Sequence, residues 1–262
     1  IFSKKDGQLK GVSVDNRKIN FANGPRFIGA RRADRSLDQF YNHDDEKAKE
    51  KDRTYSEFPD AAVFTKLDVK QDGGDLIVTA NYKLGNLDKA QWTINPSGDL
   101  ALDYTYNFSG VVDLMGIRFD YPEDQVISKR WLGAGPYRVW QNRIHGTQYD
   151  IWENDYNDPI PGETFTYPEF KGYFGDVSWM NIQTKEGTIS LTNETPDAYI
   201  GVYQPRDGRD RLLYTLPESG ISVLNVIPPV RNKVNSTDLC GPSSQPKWVN
   251  GPQTGRVIFR FM

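Results

Sequence analysis

Two indole rings and two guanidinium groups occur within one short segment, residues 131–143, which reads Trp-Leu-Gly-Ala-Gly-Pro-Tyr-Arg-Val-Trp-Gln-Asn-Arg. Trp131 and Trp140 offer large flat apolar surfaces. Arg138 and Arg143 offer planar forks of N–H donors, which suit hydroxyl or carboxylate oxygens. A turn that carries these four side chains can bind a polyhydroxyl or carboxylate ligand, so all four are candidate binding residues.

The glycines and the proline of this segment predict its backbone. Gly133, Gly135 and Pro136 are typical of a chain that turns sharply, and we expect Gly135 to have a positive φ, closed to other residues. Pro136 then fixes the turn that follows. The alternative is that the segment braces two sheets and that Trp131 lies in the core, since Trp is often a packing residue.

The sequence does not contain the residues that the common metal, nucleophile and nucleotide sites require. One cysteine and two histidines, His43 and His145, cannot supply the usual zinc ligand sets. The chain contains no G-x-S-x-G nucleophile motif, no G-x-G-x-x-G after a strand and no phosphate-binding G-x-x-x-x-G-K-[ST]. We therefore predict no metal site and no cofactor.

The composition limits the class of protein. The 262 residues include 32 basic and 35 acidic side chains, a net charge of −3, which does not favour nucleic acid as a partner. No apolar run approaches the roughly 20 residues of a membrane-spanning helix. Aromatic residues make up 13% of the chain, with 23 Gly and 16 Pro, a mixture that favours strands joined by tight turns.

Alternation with a period of two is the main structural signal. Residues 75–83, 90–94 and 100–108 alternate in this way and predict an antiparallel meander, with a turn at 95–98. Similar patterns occur at 177–183, 187–192 and 256–261. The single helix-like stretch, 44–53, has almost no apolar face and is expected to be a solvated surface segment. We predict one all-β domain over residues 1–262, built from two packed antiparallel sheets.

The segment 131–143 resembles the C-terminal domain of family 2 glycoside hydrolases of the β-galactosidase type, the β-galactosidase small-chain domain. The family pattern there is close to W-x-G-x-G-P-x-E-x-Y-x-D-R. The matching positions are Trp131, Gly133, Gly135, Pro136 and Arg143. The departures are Arg138, Trp140 and Asn142, where the family usually has Glu, Tyr and Asp.

Two further segments extend this resemblance. Residues 167–172 are similar to the family's P-x-E-x-G region, shifted by one position, which makes Glu169 a candidate binding residue. Residues 2–9 are similar to the strand and turn that begin the family's domain. The resemblance therefore runs in order along the chain.

The resemblance implies a galactose-mutarotase-like β-supersandwich. It also implies that the chain is a fragment of a longer retaining glycosidase, whose two catalytic glutamates lie in a preceding (β/α)₈ barrel. The chain is then an accessory domain that contributes to carbohydrate binding at the active-site rim and to assembly with the remaining domains. Alone, it is expected to be inactive towards β-galactosides.

A C-terminal tryptophan is the family's contact with the sugar, carried on a W-S-P-like loop. The corresponding segment here, residues 239–242, has Cys240 at that position, so Trp248 is the candidate replacement. The resemblance further implies a β-galactoside or related glycan as ligand. It also implies an exported location, periplasmic or extracellular, in a polysaccharide-degrading bacterium, with the signal peptide outside this fragment.

Two alternatives remain open at this stage. A free-standing carbohydrate-binding module would use exposed aromatic residues along one sheet, and the candidates are Trp140, Trp152, Trp179, Tyr149 and Tyr156. An enzyme on the same fold would be an epimerase, for which His145 is the candidate acid or base, or a polysaccharide lyase. The lyase would use Arg31 and Arg32 with Tyr41.

Overall fold

Strands are the main secondary structure of the described chain. The computed structural model describes residues 1–32, 55–156, 160, 171–203, 217–229 and 241–262. The strands are β1 (Val12–Val14), β2 (Arg17–Ile19), β3 (Ala22–Arg32), β4 (Tyr55–Glu57), β5 (Val63–Asp72), β6 (Asp75–Lys83), β7 (Leu87–Ile94), β8 (Asp99–Val112), β9 (Leu114–Asp120), β10 (Val126–Gly135), β11 (Gln148–Asp155), β12 (Trp179–Thr184), β13 (Gly187–Asn193), β14 (Tyr199–Val202), β15 (Ile221–Val226) and β16 (Lys247–Phe261). Within these ranges the only helical elements are two 3₁₀ turns, Glu123–Gln125 and Pro242–Ser244. None of the described helical elements is long and apolar enough to cross a membrane.

Two sheets form the sandwich. The large sheet has nine strands in the order β11-β10-β12-β13-β16-β8-β7-β6-β5, and the small sheet has five in the order β14-β15-β9-β3-β4. Neighbouring strands in both sheets are antiparallel. The predicted all-β sandwich of two antiparallel sheets is confirmed.

The alternating pattern locates the meander correctly. The strand predicted at 75–83 is β6, Asp75–Lys83, and Val78 and Ala80 on its apolar face are buried. In the adjoining strands, Trp92 of β7 pairs with Leu102 of β8, and both are completely buried. The turn predicted at 95–98 is present, with Gly98 at φ +92° and its N–H donating to the Asn95 carbonyl at 3.0 Å.

The last strand is longer than the sequence pattern predicted. The prediction begins at residue 256, whereas β16 begins at Lys247 and includes Gly251 and Pro252. Along Lys247–Gln253 the strand pairs with β8 only, because its pairing with β13 covers only Val257 to Phe261. A strand with one neighbour tolerates proline, which is why residues that look like loop continue the strand here.

Apolar side chains cover the small sheet on both faces. Its inner face joins the main core between the sheets, where Phe21, Phe119 and Phe259 lie in mutual ring contact. Its outer face carries a second buried cluster, in which Ile28, Leu114 and Leu224 pack with residues from outside the sheet. Those residues are Val139, Trp140 and Tyr173. The chain around residues 137–143 is therefore a third layer over the small sheet.

Candidate functional site

Trp131 lies between the two sheets. It belongs to β10, its side chain is completely buried, and its Nε1 donates to the Ala134 carbonyl at 3.0 Å. Its ring meets Phe174 edge to face, with centroids 4.8 Å apart. The residue therefore packs the core and offers no ring face to a ligand. The sharp turn predicted at Gly133 and Gly135 is wrong, because both residues are strand and the chain leaves the sheet only at Pro136.

Gly135 is constrained by a neighbouring ring, not by its φ. It is absent from the glycines with positive φ, so that prediction is wrong. A Cβ at this position would lie 2.4 Å from Cδ1 of Trp152 on the adjoining strand β11. The position is therefore closed to other residues on steric grounds, since real Cβ atoms do not approach another heavy atom so closely.

Arg138 is a buried cation. Its side chain is only 3% exposed, and its guanidinium carbon lies 5.3 Å from the centroid of the Phe174 ring. Phe174 is also the ring that Trp131 contacts, so one phenylalanine joins both motif side chains. An arginine over an aromatic face gains cation–π attraction, which strengthens away from water. This contact fixes the segment after β10 and leaves Arg138 buried within the protein.

Trp140 is the centre of the outer cluster. Its side chain is completely buried and meets Tyr173 edge to face, with centroids 5.7 Å apart. Val139 and Tyr173 exchange two backbone hydrogen bonds of 2.7 Å. Burial raises the pKa of Tyr173 well above its ordinary value, so its hydroxyl stays neutral. Trp140 therefore packs the third layer against the small sheet.

Gln141 joins the motif to the chain that precedes β16. Its side-chain Nε2 donates to the carbonyls of Ser243 and Gln245, at 2.9 and 2.7 Å. Its backbone N–H donates to the Pro228 carbonyl at 3.0 Å. Beside it, Asn142 Nδ2 lies 3.4 Å from Ser244 Oγ. Three separate chain segments therefore meet at Gln141, a residue that the sequence analysis did not single out.

Trp248 follows this junction directly. It is 71% exposed, in the second position of β16, and pairs with Val111 of β8. All six tryptophans lie in described residues, and Trp248 is the only one classed as exposed. Gln141 and Asn142 tie the turn that carries residues 143–145 to the segment 241–248, and we call these two segments the Trp248 edge.

Arg143, Ile144 and His145 form the other part of this edge. All three are exposed, and Ile144 is 40% exposed. Arg143 and Trp140 exchange backbone hydrogen bonds of 2.9 and 3.3 Å, which close the turn beneath them. The His145 carbonyl accepts from the Tyr137 hydroxyl at 3.0 Å. Of the binding residues predicted from the motif and the family resemblance, the structure thus keeps Arg143, His145 and Trp248 at the surface and buries Trp131, Arg138 and Trp140.

The remaining candidates lie outside the described residues or at the end of β3. Glu169, His43, Tyr41, Cys240 and the charged stretch 44–53 lie outside the described residues. Arg31 and Arg32 lie at the end of β3. Over the described ranges, no group of three His, Cys, Asp or Glu side chains is arranged to hold a metal ion.

The solvent face of the large sheet carries a second set of exposed apolar residues. Tyr149 is 58% exposed and Ile151 is 48% exposed, both on the edge strand β11. The register places Ile151 opposite Leu132, which is opposite the partly buried Trp179. The Tyr149 hydroxyl lies 2.6 Å from Ser178 Oγ. This group is an alternative aromatic surface, on the strand that pairs with the first part of the motif.

Comparison with known proteins identifies the family of the chain. The profile described as beta galactosidase small chain matches residues 1–239. A comparison with curated proteins gives no significant match. Among solved structures, the chain is similar to the crystal structure of a GalM/aldose epimerase homologue from C. elegans, with a TM-score of 0.34 and 8% sequence identity, covering 76% of this chain and 69% of that one. Similarity at that level supports no conclusion about activity. The match of the profile to most of the chain, motif included, shows that the protein belongs to the β-galactosidase small-chain family.

Proposed function

We propose that this protein is the accessory small-chain domain of a retaining β-galactosidase-like glycosidase, and that the Trp248 edge is its contribution to the rim of the active site. The observation that carries the proposal is the contrast between Trp248, 71% exposed, and the anchored chain directly before it. Trp is enriched at the centres of protein interfaces, so a large ring that an anchored backbone presents to solvent is a candidate contact for a ligand or another domain.

The composition of the edge fits both parts of this role. An indole face stacks on the apolar face of a pyranose, and Trp and Arg are the residues most enriched at the centres of protein interfaces. Ile144 adds apolar surface, while Arg143 and His145 add donors for hydroxyl oxygens. The edge therefore serves as a contact with both the sugar and the catalytic module.

Catalysis belongs to a separate module in this proposal. Retaining cleavage needs two carboxylates about 5–5.5 Å apart, one acting as acid and base and the other as nucleophile. General acid–base assistance alone is typically worth about 10²–10⁴ in rate. The exported location expected for a polysaccharide-degrading bacterium is part of the same proposal.

A free-standing carbohydrate-binding module is the second candidate function. It is favoured by the exposure of Tyr149 and Ile151 beside Trp179 on the solvent face of the large sheet. A solvent-facing sheet surface with aromatic residues is a suitable platform for an extended glycan.

One binding experiment separates the two candidates. Tryptophan fluorescence of the chain is titrated with lactose and with a panel of longer β-galactosides, for the native protein, Trp248→Ala and Tyr149→Ala. We expect Trp248→Ala to abolish the response and Tyr149→Ala to preserve it. The reverse pattern would assign sugar binding to the solvent face of the large sheet.

A second experiment tests the absence of hydrolysis. The purified chain is assayed with a chromogenic β-galactoside, and we expect a rate equal to that of buffer. Turnover that disappears when one Asp or Glu of residues 1–262 is replaced would overturn the proposal. The replacement excludes a co-purifying host β-galactosidase as the source of activity.

A further inference from the structure

Strands β11 and β5 are the two outer strands of the large sheet. Within the part of the chain that the structure describes, each of them pairs with one neighbour, which is β10 for β11 and β6 for β5. An outer strand exposes a row of backbone N–H and C=O groups to which a further strand can bind. Proteins usually protect such edges, so the protection of the two strands can be compared.

Strand β5 carries the usual protection of an edge. Its register with β6 shifts between Phe64 and Lys66, and this irregularity interrupts the row of backbone groups. The strand also carries two exposed lysines, Lys66 and Lys70, which form ion pairs with Asp68 and Asp72 of the same strand. Irregular pairing and lysine side chains both discourage the addition of another strand.

Strand β11 has neither form of protection. It pairs with β10 from Gln148 to Asp155 without a register shift, and it contains no lysine and no proline. Two of its apolar side chains, Tyr149 and Ile151, are 58% and 48% exposed. It is therefore a regular outer strand with apolar residues in solvent, which is the kind of edge that accepts another strand.

Two hydrogen bonds show which backbone groups of β11 face away from β10. The Tyr156 N–H donates to the Ile127 carbonyl of β10 at 2.8 Å, so the even-numbered residues point their backbone groups towards β10. The Ile151 N–H instead donates to Asp150 Oδ1 at 2.7 Å. Because these groups alternate along an antiparallel strand, those of the odd-numbered residues of β11 point out of the sheet.

The side chains of the same odd-numbered residues lie on the solvent face of the sheet. Ile151 ends an apolar row that begins at Trp179 of β12 and passes through Leu132 of β10. Residues opposite each other on neighbouring strands are the contacts that stabilise a sheet. A strand added to β11 would therefore extend this row with an apolar residue opposite Ile151.

The charge of β11 indicates the kind of strand that it accepts. Asp150, Glu153 and Asp155 are all exposed, and none of the ion pairs among the described residues includes one of them. Two cations of β10 lie nearby. Arg130 is opposite Glu153, and the buried Lys129 donates to the Asp155 backbone carbonyl at 3.1 Å. An excess of carboxylates remains, which favours a basic partner strand.

We propose that β11 is a docking edge for a basic, extended segment of a partner protein, which binds as an additional antiparallel strand of the large sheet. The Ile151 N–H then exchanges the Asp150 carboxylate for a backbone carbonyl of the partner. A second copy of β11 is a poor partner, because it would bring carboxylates against carboxylates. The docking edge includes none of the residues of the Trp248 edge, so it goes beyond the proposed function.

The register of β11 specifies the sequence of the partner segment. In an antiparallel pair, the segment begins opposite Asp155 and ends opposite Tyr149. Basic residues then belong opposite Asp155 and Glu153, and apolar residues opposite Ile151 and Tyr149. The segment therefore reads basic-x-basic-x-apolar-x-apolar, with its alternate backbone groups paired to β11.

Synthetic peptides test this docking on the whole chain. The probe is the capped peptide Lys-Thr-Lys-Thr-Ile-Thr-Val, and calorimetry measures its affinity. We expect a dissociation constant below about 100 μM, and binding about tenfold weaker or more when Glu replaces both Lys. Methylation of the backbone nitrogens of the third and fifth peptide residues, which face β11, should abolish binding. Methylation at the fourth and sixth residues, which face away, should preserve it.

Variants of the chain locate the contact. Glu153→Lys should weaken the basic peptide about fivefold or more and tighten the acidic one, since it reverses a cross-strand charge pair. Asp72→Lys makes the same change of charge on β5, so it is the matched control and should alter neither affinity. Amide hydrogen exchange is the backbone readout. The bound peptide should slow exchange at Tyr149 and Glu153 and leave exchange in β5 unchanged.

Several results would overturn the docking edge. They are equal affinities for the basic and acidic peptides, equal effects of the two methylation patterns, and no binding up to about 1 mM of peptide. Sedimentation of the chain alone tests self-pairing, and a dimer that the peptide dissociates would assign β11 to a second copy instead. Trp248→Ala should leave peptide binding unchanged, so loss of its sugar response leaves this proposal intact. Peptide binding lost in Trp248→Ala would overturn it.

Discussion

The buried tryptophans of the motif and the exposed Trp248 differ in almost every respect, although Gln141 links them. Trp131 and Trp140 are completely buried, on opposite sides of the small sheet, and contact Phe174 and Tyr173. Trp248 stands in solvent at the start of a strand with one neighbour. The tryptophans of the motif thus pack the fold. Trp248, the tryptophan that is available to a ligand, lies more than a hundred positions further along the chain.

Removing Trp140 should have the largest effect. Trp140→Ala empties the centre of the outer cluster, and Trp→Ala in a core typically costs about 3–5 kcal/mol of the free energy of unfolding. Urea denaturation followed by circular dichroism measures the loss. A change below about 1 kcal/mol would mean that the third layer contributes little to stability.

A methyl group at Gly135 should have the next largest effect. Gly135→Ala places a Cβ within 2.4 Å of Trp152, and overpacking of this kind typically costs about 1–3 kcal/mol. Gly241→Ala is the control, since no atom lies within 4 Å of its added Cβ and its φ is negative. Equal melting temperatures for the two variants would contradict the steric explanation.

Removing the side chain of Gln141 should affect one region selectively. Gln141→Ala deletes two hydrogen bonds to backbone carbonyls, for about 1–2 kcal/mol in all. We expect faster amide hydrogen exchange in residues 243–250 and unchanged exchange in β6 and β7. Gln71→Ala, on the exposed face of β5, is the comparison and should alter neither region. Exchange that accelerates uniformly would show that Gln141 is not a local anchor.

Removing Trp248 should affect stability least. Trp248→Ala deletes a side chain that is 71% exposed, and such surface changes usually alter stability by less than about 0.5 kcal/mol. The same denaturation experiment as for Trp140→Ala makes the two directly comparable. A large loss of stability would mean that Trp248 packs within the chain. The contrast between the buried tryptophans of the motif and an exposed Trp248 would then be wrong.

The parts of the fold with one buried face were predictable from the sequence. Strand β6 has the predicted bounds because its apolar and polar residues alternate, as expected when one face meets water. Strands β9 and β15 were missed because both of their faces are covered, so Leu114 to Ile117 and Ile221 to Leu224 are buried without interruption. A continuous apolar run carries no period that identifies it as a strand.

The candidate site was predictable only in part, because its geometry depends on distant residues. The family motif located the correct segment, but the role of Gly135 depends on Trp152 across a strand pair, and a glycine-rich sequence alone suggests a turn. The contacts of Gln141 with residues 243 and 245 join positions about a hundred residues apart. No local pattern marks a side chain whose partners are backbone carbonyls so far along the chain.

The third layer over the small sheet also has a consequence for the order of folding. Residues 137–143 can dock only after β3, β9 and β15 have met, because the surface they cover belongs to all three strands. Contacts between such distant positions form late, since chain closure precedes them. Until then Ile28, Leu114 and Leu224 remain open to water, and an apolar sheet face of that kind promotes aggregation. Docking of residues 137–143 is therefore the step that removes this apolar face of the small sheet from water.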